Sequence, residues 1–227
     1  MNKLVLFDVD GILIAQSRGN VPSISKILIQ RQFGVTIDPK ATNVDGMTDR
    51  SVLIERLKSA GLSDPESHPK FEIAMQEFAA VTKELICEYG IEKIKNVESL
   101  IKLLQKNKIT IGLLTGNTYE HAKVKLSAVN LWQYFKIGAF GGFSKIRSDL
   151  VEVALSDARE KTGISFEKEN VFIIGDTIRD ILCAKEGEVK SIAIATGNQL
   201  WEELKKEKPD YLFKDFSNVE EIFNVIK

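Results

Sequence analysis

Five short apolar runs, each stopping at a polar or small residue, constrain the fold of this 227-residue chain more than any other feature. They are "KLVLFD" at 3–8, "ITIGLLT" at 109–115, "VFIIGD" at 171–176, "SIAIAT" at 191–196 and "DYLF" at 210–213. Near-continuous apolar runs of this length suit strands covered on both faces, and such strands belong to parallel sheets. Helix-period patterns lie between them, at 97–106, 118–128, 148–162, 177–186, 199–206 and 217–226. Strand and helix in alternation predict an α/β fold on a doubly wound, mostly parallel sheet.

Residues 16–92 break the alternation. Their patterns are helical only, at 22–33, 48–60 and 70–89, punctuated by Gly34, Pro39, Gly46 and Gly61. The simplest architecture is an α/β core domain of residues 1–15 and 93–227, with an all-helical cap domain, residues 16–92, inserted after the first strand. An insert there sits at the carboxyl end of that strand, over the crevice where α/β sheets bind ligands.

Two acidic pairs fall at such strand ends. Asp8 and Asp10 share a face if the extended path continues past the first strand, and Gly11 lets the backbone turn sharply. Asp176 closes the run at 171–176. Asp180 lies four residues on, on the same helix face, where like charges repel by roughly 0.2–0.5 kcal/mol. Unpaired buried carboxylates are strongly unfavourable. A hard cation relieves them, and Mg²⁺ takes oxygen ligands and commonly bridges carboxylates to a phosphate. Taken singly, Asp8 or Asp180 reads first as a turn residue or helix cap; the joint pattern is what points to a metal.

Two further features join the set. "LLTGN" places Thr115, Gly116 and Asn117 at another strand end, where a hydroxyl and backbone N–H groups suit an oxyanion; alone, the motif is also an ordinary N-cap. Lys145 and Arg147 stand just before the helical pattern at 148–162 and offer a cation to a phosphoryl oxygen. The tripeptide Thr-Gly-Asn recurs at 196–198, which implies similar strand-to-helix turn chemistry at both places.

Composition narrows the partners. The formal net charge is −1 with no long basic block, so neither nucleic acid nor an anionic membrane surface is expected. No apolar stretch is long enough to span a bilayer. Cys87 and Cys183 are far apart and form no CxxC pair, which reads as free thiols in a reducing compartment. His68 and His121 have no second His or Cys at ligand spacing, so zinc is not expected and both read as surface or packing residues. The expectation is a soluble, cytoplasmic protein whose oligomeric state is not legible.

Together these residues resemble the haloacid dehalogenase superfamily of phosphohydrolases, in particular phosphatases of the phosphoglycolate phosphatase type with an inserted helical cap. Four motifs match in order: "FDVDG", "LLTGN", Lys145 or Arg147, and "GDTIRD"; "GMTD" at 46–49 is similar to a cap segment of such proteins. The resemblance implies Mg²⁺-dependent hydrolysis of a small phosphomonoester, with phosphoglycolate as the substrate it suggests. Asp8 would be the nucleophile that forms an aspartyl-phosphate. Asp10 would protonate the leaving group and then activate water. Thr115, with the Gly116 amide, would hold the phosphoryl group, and Arg147 would steady its oxygens and Asp8. The metal would be held by Asp8, the Asp10 carbonyl, Asp176 and Asp180.

Two departures from the family pattern stand out. Ile12 replaces the usual Thr or Val. Arg147 stands where a Lys is usual, with Lys145 two residues away; Arg147 is preferred because it directly precedes the helix pattern. Specificity is expected from the cap, with Arg18, Thr48, Asp49 and Arg50 as candidates. A sugar phosphomutase resembling β-phosphoglucomutase would share every core residue. A non-catalytic phospho-accepting module is the alternative from another class, and the wide separation of the two acidic pairs opposes it.

Overall fold

The structure, a computed structural model, describes residues 2–15, 21–142 and 147–227. Arg18 and Lys145 lie outside the described residues. The chain begins with β1 (Leu4–Phe7) and the two-residue β2 (Ile14–Ala15), then passes through three helices, α1 (Ile24–Phe33), α2 (Asp49–Ser59) and α3 (Phe71–Tyr89). It returns through β3 (Glu92–Lys93) and α4 (Val97–Lys106) to β4 (Thr110–Thr115), α5 (Tyr119–Ala128) and β5 (Ile137–Phe140). There follow α6 (Asp149–Thr162), β6 (Val171–Gly175), α7 (Ile178–Glu186), β7 (Lys190–Ile194), α8 (Trp201–Lys206), β8 (Tyr211–Phe213) and α9 (Val219–Ile226).

The six longer strands form one sheet in the order β5-β4-β1-β6-β7-β8, and every neighbouring pair is parallel. From β1 the chain winds outward through β4 and β5 on one side and through β6, β7 and β8 on the other. β1 is therefore the topological switch point, and the crevice of a doubly wound sheet opens at its carboxyl end. The strand sequences explain why both faces are covered. Side chains alternate along a strand, and in β1 Val5 and Phe7 join a core shared with α4 and α9, while Leu4 and Leu6 join a second core with α6. β6 divides in the same way, Phe172 and Ile174 to one face and Val171 and Ile173 to the other.

The segment between β2 and β3 carries a core of its own. Leu28 and Ile29 of α1, Leu53 and Leu57 of α2, and Phe71, Phe78 and Val81 of α3 pack together and are buried. The two ends of this segment are joined where β2 and β3 pair antiparallel, Ile14 with Lys93 and Ala15 with Glu92. The short pair β2 and β3 was not expected from the sequence, nor was β5 of the six-stranded sheet. β5 is an edge strand of four residues, alternately buried and half-buried, and Gly138 interrupts its apolar run.

Among the described residues no helix is long and apolar enough to cross a membrane. Both cysteines are free thiols, Cys87 exposed and Cys183 buried.

Candidate active site

The carboxyl ends of β1, β4 and β6 bring the predicted residues to one place. Asp8 follows β1 directly, is buried, and its N–H donates to the Ile174 carbonyl at 2.9 Å. The chain then turns at Gly11, whose φ of +75° is the left-handed region that favours glycine. A side chain there is excluded for a second reason: a Cβ would lie 2.3 Å from Asp176 Oδ2. The turn is anchored by Thr196 Oγ1, which donates to the Gly11 carbonyl at 2.6 Å. The second Thr-Gly-Asn thus borders the same crevice as the first, and Asn198 lines it with Asn117.

Oxygens of Asp8, Asp176 and Asp180 all lie within 4.8 Å of one another. Burial pushes the Asp8 carboxyl up to about 7, against the pull of Arg147 and with the charges of Asp180 and Asp10 adding to the rise. Burial, then the charges of Asp180 and Asp8, likewise raises Asp176 well above the usual carboxylate range. Asp176 Oδ1 is buried with no hydrogen-bond partner among the described residues. Mutually repelling carboxylates and an orphaned buried oxygen are a donor set that fits a hard divalent cation.

Asp180 plays a different part from Asp176. Its Oδ2 accepts from the Thr177 N–H at 3.1 Å and from Thr177 Oγ1 at 2.7 Å, completing a capping box at the start of α7. Its Oδ1 accepts from Arg147 Nη2 at 2.5 Å. The helix-cap reading and the acidic-site reading therefore both hold for this residue, and both its oxygens already have partners.

Arg147 is buried between two acids. Nη2 lies 3.0 Å from Asp8 Oδ2 as well as against Asp180. Burial works against its charge, but Asp180 and Asp8 prevail and hold the guanidinium protonated beyond its ordinary range. Its Nη1 donates to the Gly46 carbonyl at 3.0 Å, so it also ties the loop before α2 to the sheet.

That loop docks across the strand ends at several points. The Asp49 N–H donates to the Gly116 carbonyl at 2.7 Å, and Asp49 Oδ2 accepts from the Thr118 N–H and pairs with His121 Nδ1, both at 2.7 Å. Arg179 Nη1 donates to the Asp45 carbonyl at 3.2 Å. Gly116 permits the approach, since a Cβ would meet the Met47 carbonyl oxygen at 2.3 Å. Among the cap candidates, Thr48 caps α2 and Asp49 reaches the crevice. Arg50 instead pairs with Glu66 and Glu72.

Thr115 is buried at the end of β4, and its Oγ1 accepts from the Asn117 N–H at 3.2 Å. Asn117 turns its Oδ1 to Lys125 Nζ at 3.0 Å. Lys125 is the residue the sequence reading missed. It lies on α5, is buried, and grips both oxygens of Asp10 at 3.0 and 2.8 Å. Burial raises the Asp10 carboxyl, but the Lys125 ammonium outweighs it and holds the group below the usual range. The Lys125 ammonium therefore favours the ionised form of Asp10. His121, expected at the surface or in packing, is buried, pairs with Asp49 and borders the crevice.

The crevice is a cavity of about 470 Å³ between the sheet ends and the helices α2 and α3. Its sheet side combines a buried carboxylate with a cation against it, a hydroxyl, and a second carboxylate held by a lysine, groups that suit the binding of an anionic group.

Comparison with known proteins points the same way. A family model described as haloacid dehalogenase-like hydrolase matches residues 5–194. The chain is 25% identical over 227 aligned residues to a Dickeya dadantii protein named probable phosphatase IndB, covering 96% of this chain and 92% of the relative. It is 21% identical to the phosphoglycolate phosphatase of Salmonella paratyphi A, covering 96% of this chain and 93% of that one. A solved hydrolase from Pseudomonas syringae superposes with a TM-score of 0.76 at 18% identity, covering 100% of this chain and 99% of the other, a likeness of fold.

Proposed function

This chain belongs to the haloacid dehalogenase-like hydrolase family, and from that membership we propose a Mg²⁺-dependent phosphatase that cleaves a small phosphomonoester through an aspartyl-phosphate on Asp8. The observation that carries the reading is the convergence of Asp8, Asp176, Asp180 and Arg147 at the end of β1. Relatives named as phosphatases and phosphoglycolate phosphatases support the reaction class. We read residues 16–92 as the cap over this site.

The residues divide the work by position. Asp8, Asp176 and the Asp10 carbonyl would hold the metal, with Asp180 at its edge fixing Arg147 and the start of α7. When bound, Mg²⁺ supplies charge neutralisation for the transferring phosphoryl group. Arg147 and Thr115, with the Gly116 amide, hold the phosphoryl oxygens and leave phosphorus facing Asp8. Lys145, outside the described residues, is proposed as a further phosphate contact, and Asn117 acts by fixing Lys125. An Asp8 oxygen attacks phosphorus, the ester P–O bond breaks, and the leaving alcohol takes from Asp10 a proton that Asp10 has first accepted from the bound monoester or from water. A water then gives its proton to Asp10 as its oxygen attacks phosphorus, and the Asp8–phosphoryl bond breaks to restore the carboxylate.

The test is phosphate release from p-nitrophenyl phosphate, expected with Mg²⁺ and lost with a chelator. Transfer of phosphate back to a sugar without release would indicate the mutase outcome, and stoichiometric labelling without turnover a signalling module. Metal binding has a second readout in stability. Raised folded-state carboxyls favour the protonated folded form, so metal-free stability contributed by Asp8 declines as pH rises from about 4 towards 7, and Asp176, also raised, acts in the same direction. Mg²⁺ replaces those protons, so its stabilisation grows with pH. At a hundredfold excess over Kd, binding is worth about 2.7 kcal/mol, or roughly 5–10 °C in Tm for a chain of this size. The Mg²⁺-induced rise in Tm is expected to be larger at pH 8 than at pH 5; equal rises would speak against metal binding by these carboxylates.

A further inference from the structure

The turn that follows β4 is held from two sides. On one side the Gly141 N–H donates to the Asn117 carbonyl at 2.9 Å. On the other lies the start of α2. There the Asp49 N–H donates to the Gly116 carbonyl, and the Thr118 N–H donates to Asp49 Oδ2, each at 2.7 Å. Asp49 thus bonds the turn at both ends, to an acceptor before Asn117 and a donor after it. The approach is close on both sides. A Cβ on Gly116 would meet the Met47 carbonyl oxygen, and one on Gly141 the Gly116 carbonyl oxygen, each at 2.3 Å.

Asp49 is the first residue of α2, but it does not cap that helix. Thr48 does, its Oγ1 accepting from the Ser51 N–H at 3.1 Å. The Asp49 side chain instead crosses to α5. It is buried, and a buried carboxylate is unfavourable unless it is bonded. Its second donor is His121, whose Nδ1 lies 2.7 Å from the same Oδ2; against a carboxylate, which only accepts, the ring nitrogen carries the proton. His121 stands four residues before Lys125 on one buried face of α5. Lys125 in turn holds Asn117 Oδ1 at 3.0 Å and both oxygens of Asp10. The turn therefore touches both halves of the chemistry, the phosphoryl grip at Thr115 and Gly116 and the carboxylate of Asp10.

We propose that Asp49 is a positioning residue for phosphoryl transfer and not a specificity residue: with His121 as its brace, it fixes the turn at 116–118 in the shape that grips the phosphoryl group. The helical segment then does more than cover the site, because part of the catalytic geometry is completed by its own carboxylate. Both partners of that carboxylate are core groups, the Thr118 N–H and the His121 ring. It is spent on them, so it has little left with which to distinguish one leaving alcohol from another. The group it serves is the phosphoryl, which every substrate shares. Misplacing such a group by about 1 Å costs roughly 100-fold in rate.

The inference rests on the phosphatase reading, which the wild type tests separately. The experiment measures kcat and KM with Mg²⁺, well below the Tm, for p-nitrophenyl phosphate, glycerol 3-phosphate, 3-phosphoglycerate and glucose 6-phosphate. In Asp49→Ala, kcat/KM is expected to fall about 100-fold on every ester the wild type cleaves, by the same factor to within about threefold and mostly through kcat. Asp49→Asn keeps an oxygen for both donors and is expected to stay within about tenfold of wild type. His121→Phe removes the brace but keeps a ring against Phe78, 5.5 Å away in the wild type. It is expected to lose about tenfold on every ester, and it keeps the test open if Asp49→Ala does not fold. The two side chains act through one contact, so the double variant is expected to lose less than the product of the single losses. Losses that differ between esters by more than about tenfold would make Asp49 a specificity residue and overturn the proposal. A lowered Tm with kcat unchanged, in Asp49→Ala or in His121→Phe, would make the contact merely structural and overturn it too. Wild-type protein that frees no phosphate from any ester overturns the phosphatase reading and the positioning role with it.

Discussion

Asp8→Asn is expected to lower phosphate release by about 10⁴-fold or more, the scale on which loss of a covalent nucleophile is felt. The substitution keeps the shape of the side chain and its place after β1, so binding groups stay where they are. What it removes is the lone-pair charge that attacks phosphorus. It also removes one of three crowded acids, and that gives the prediction a second side. Asp8 is buried with its carboxyl raised to about 7, so at pH 8 the metal-free protein keeps an unfavourable ion that the amide does not carry. Asp8→Asn is therefore expected to be no less stable than the wild type in chelator at pH 8, while being nearly inactive. Activity within tenfold of wild type would remove Asp8 from the chemistry. An inactive but badly destabilised variant would make its role structural.

Arg147→Met tests the opposite charge. Its guanidinium lies against Asp8 and Asp180 at 3.0 and 2.5 Å, with both acids and the arginine buried. Breaking a buried pair by removing one partner commonly destabilises by 3–5 kcal/mol, because the remaining charges are left without compensation. A loss of about that size is expected in urea unfolding at pH 8 without metal. At pH 5 the loss should shrink, since Asp8 and Asp176 take up protons as pH falls through their raised range and the repulsion disappears. Mg²⁺ should also recover part of it. A loss below about 1 kcal/mol, or one equal at both pH values, would show that Arg147 is not the counter-charge of this cluster.

The sheet was legible because its strands are covered on both faces. Runs such as "LVLF" and "VFII" need apolar residues on every position, and few other elements do. The edge strand β5 does not share that need. Four residues with Gly138 among them look like a loop, and only pairing with β4 makes them a strand. The site residues were legible for a related reason. Asp8, Asp176 and Thr115 interrupt or close apolar runs, so each stands out against its background.

Lys125 did not stand out, and the difference from Lys123 shows why. Both sit in "HAKVKLSA" on one helix, two residues apart, and residue type alone gives each a solvated face. Lys123 is exposed, whereas Lys125 shares the buried stripe with His121, Ala122 and Leu126 at helical spacing. A lysine and a histidine on the apolar stripe of a short helix was the available signal. Asp49 was a candidate only through its place in "GMTD"; its pairing with His121 comes from which way α2 faces once it packs over the sheet, and that is a property of tertiary contacts.

The central claim is that Asp8 receives the phosphoryl group beside a divalent ion held by the same acidic cluster. A crystal structure grown with Mg²⁺ and beryllium fluoride, a stand-in for a phosphoryl group on a carboxylate, tests it most directly. The account predicts beryllium bonded to a carboxylate oxygen of Asp8, fluorides against Arg147 and Thr115, and an ion touching Asp8 and Asp176. Beryllium fluoride seated on another residue, or an ion bound away from Asp176, would contradict it.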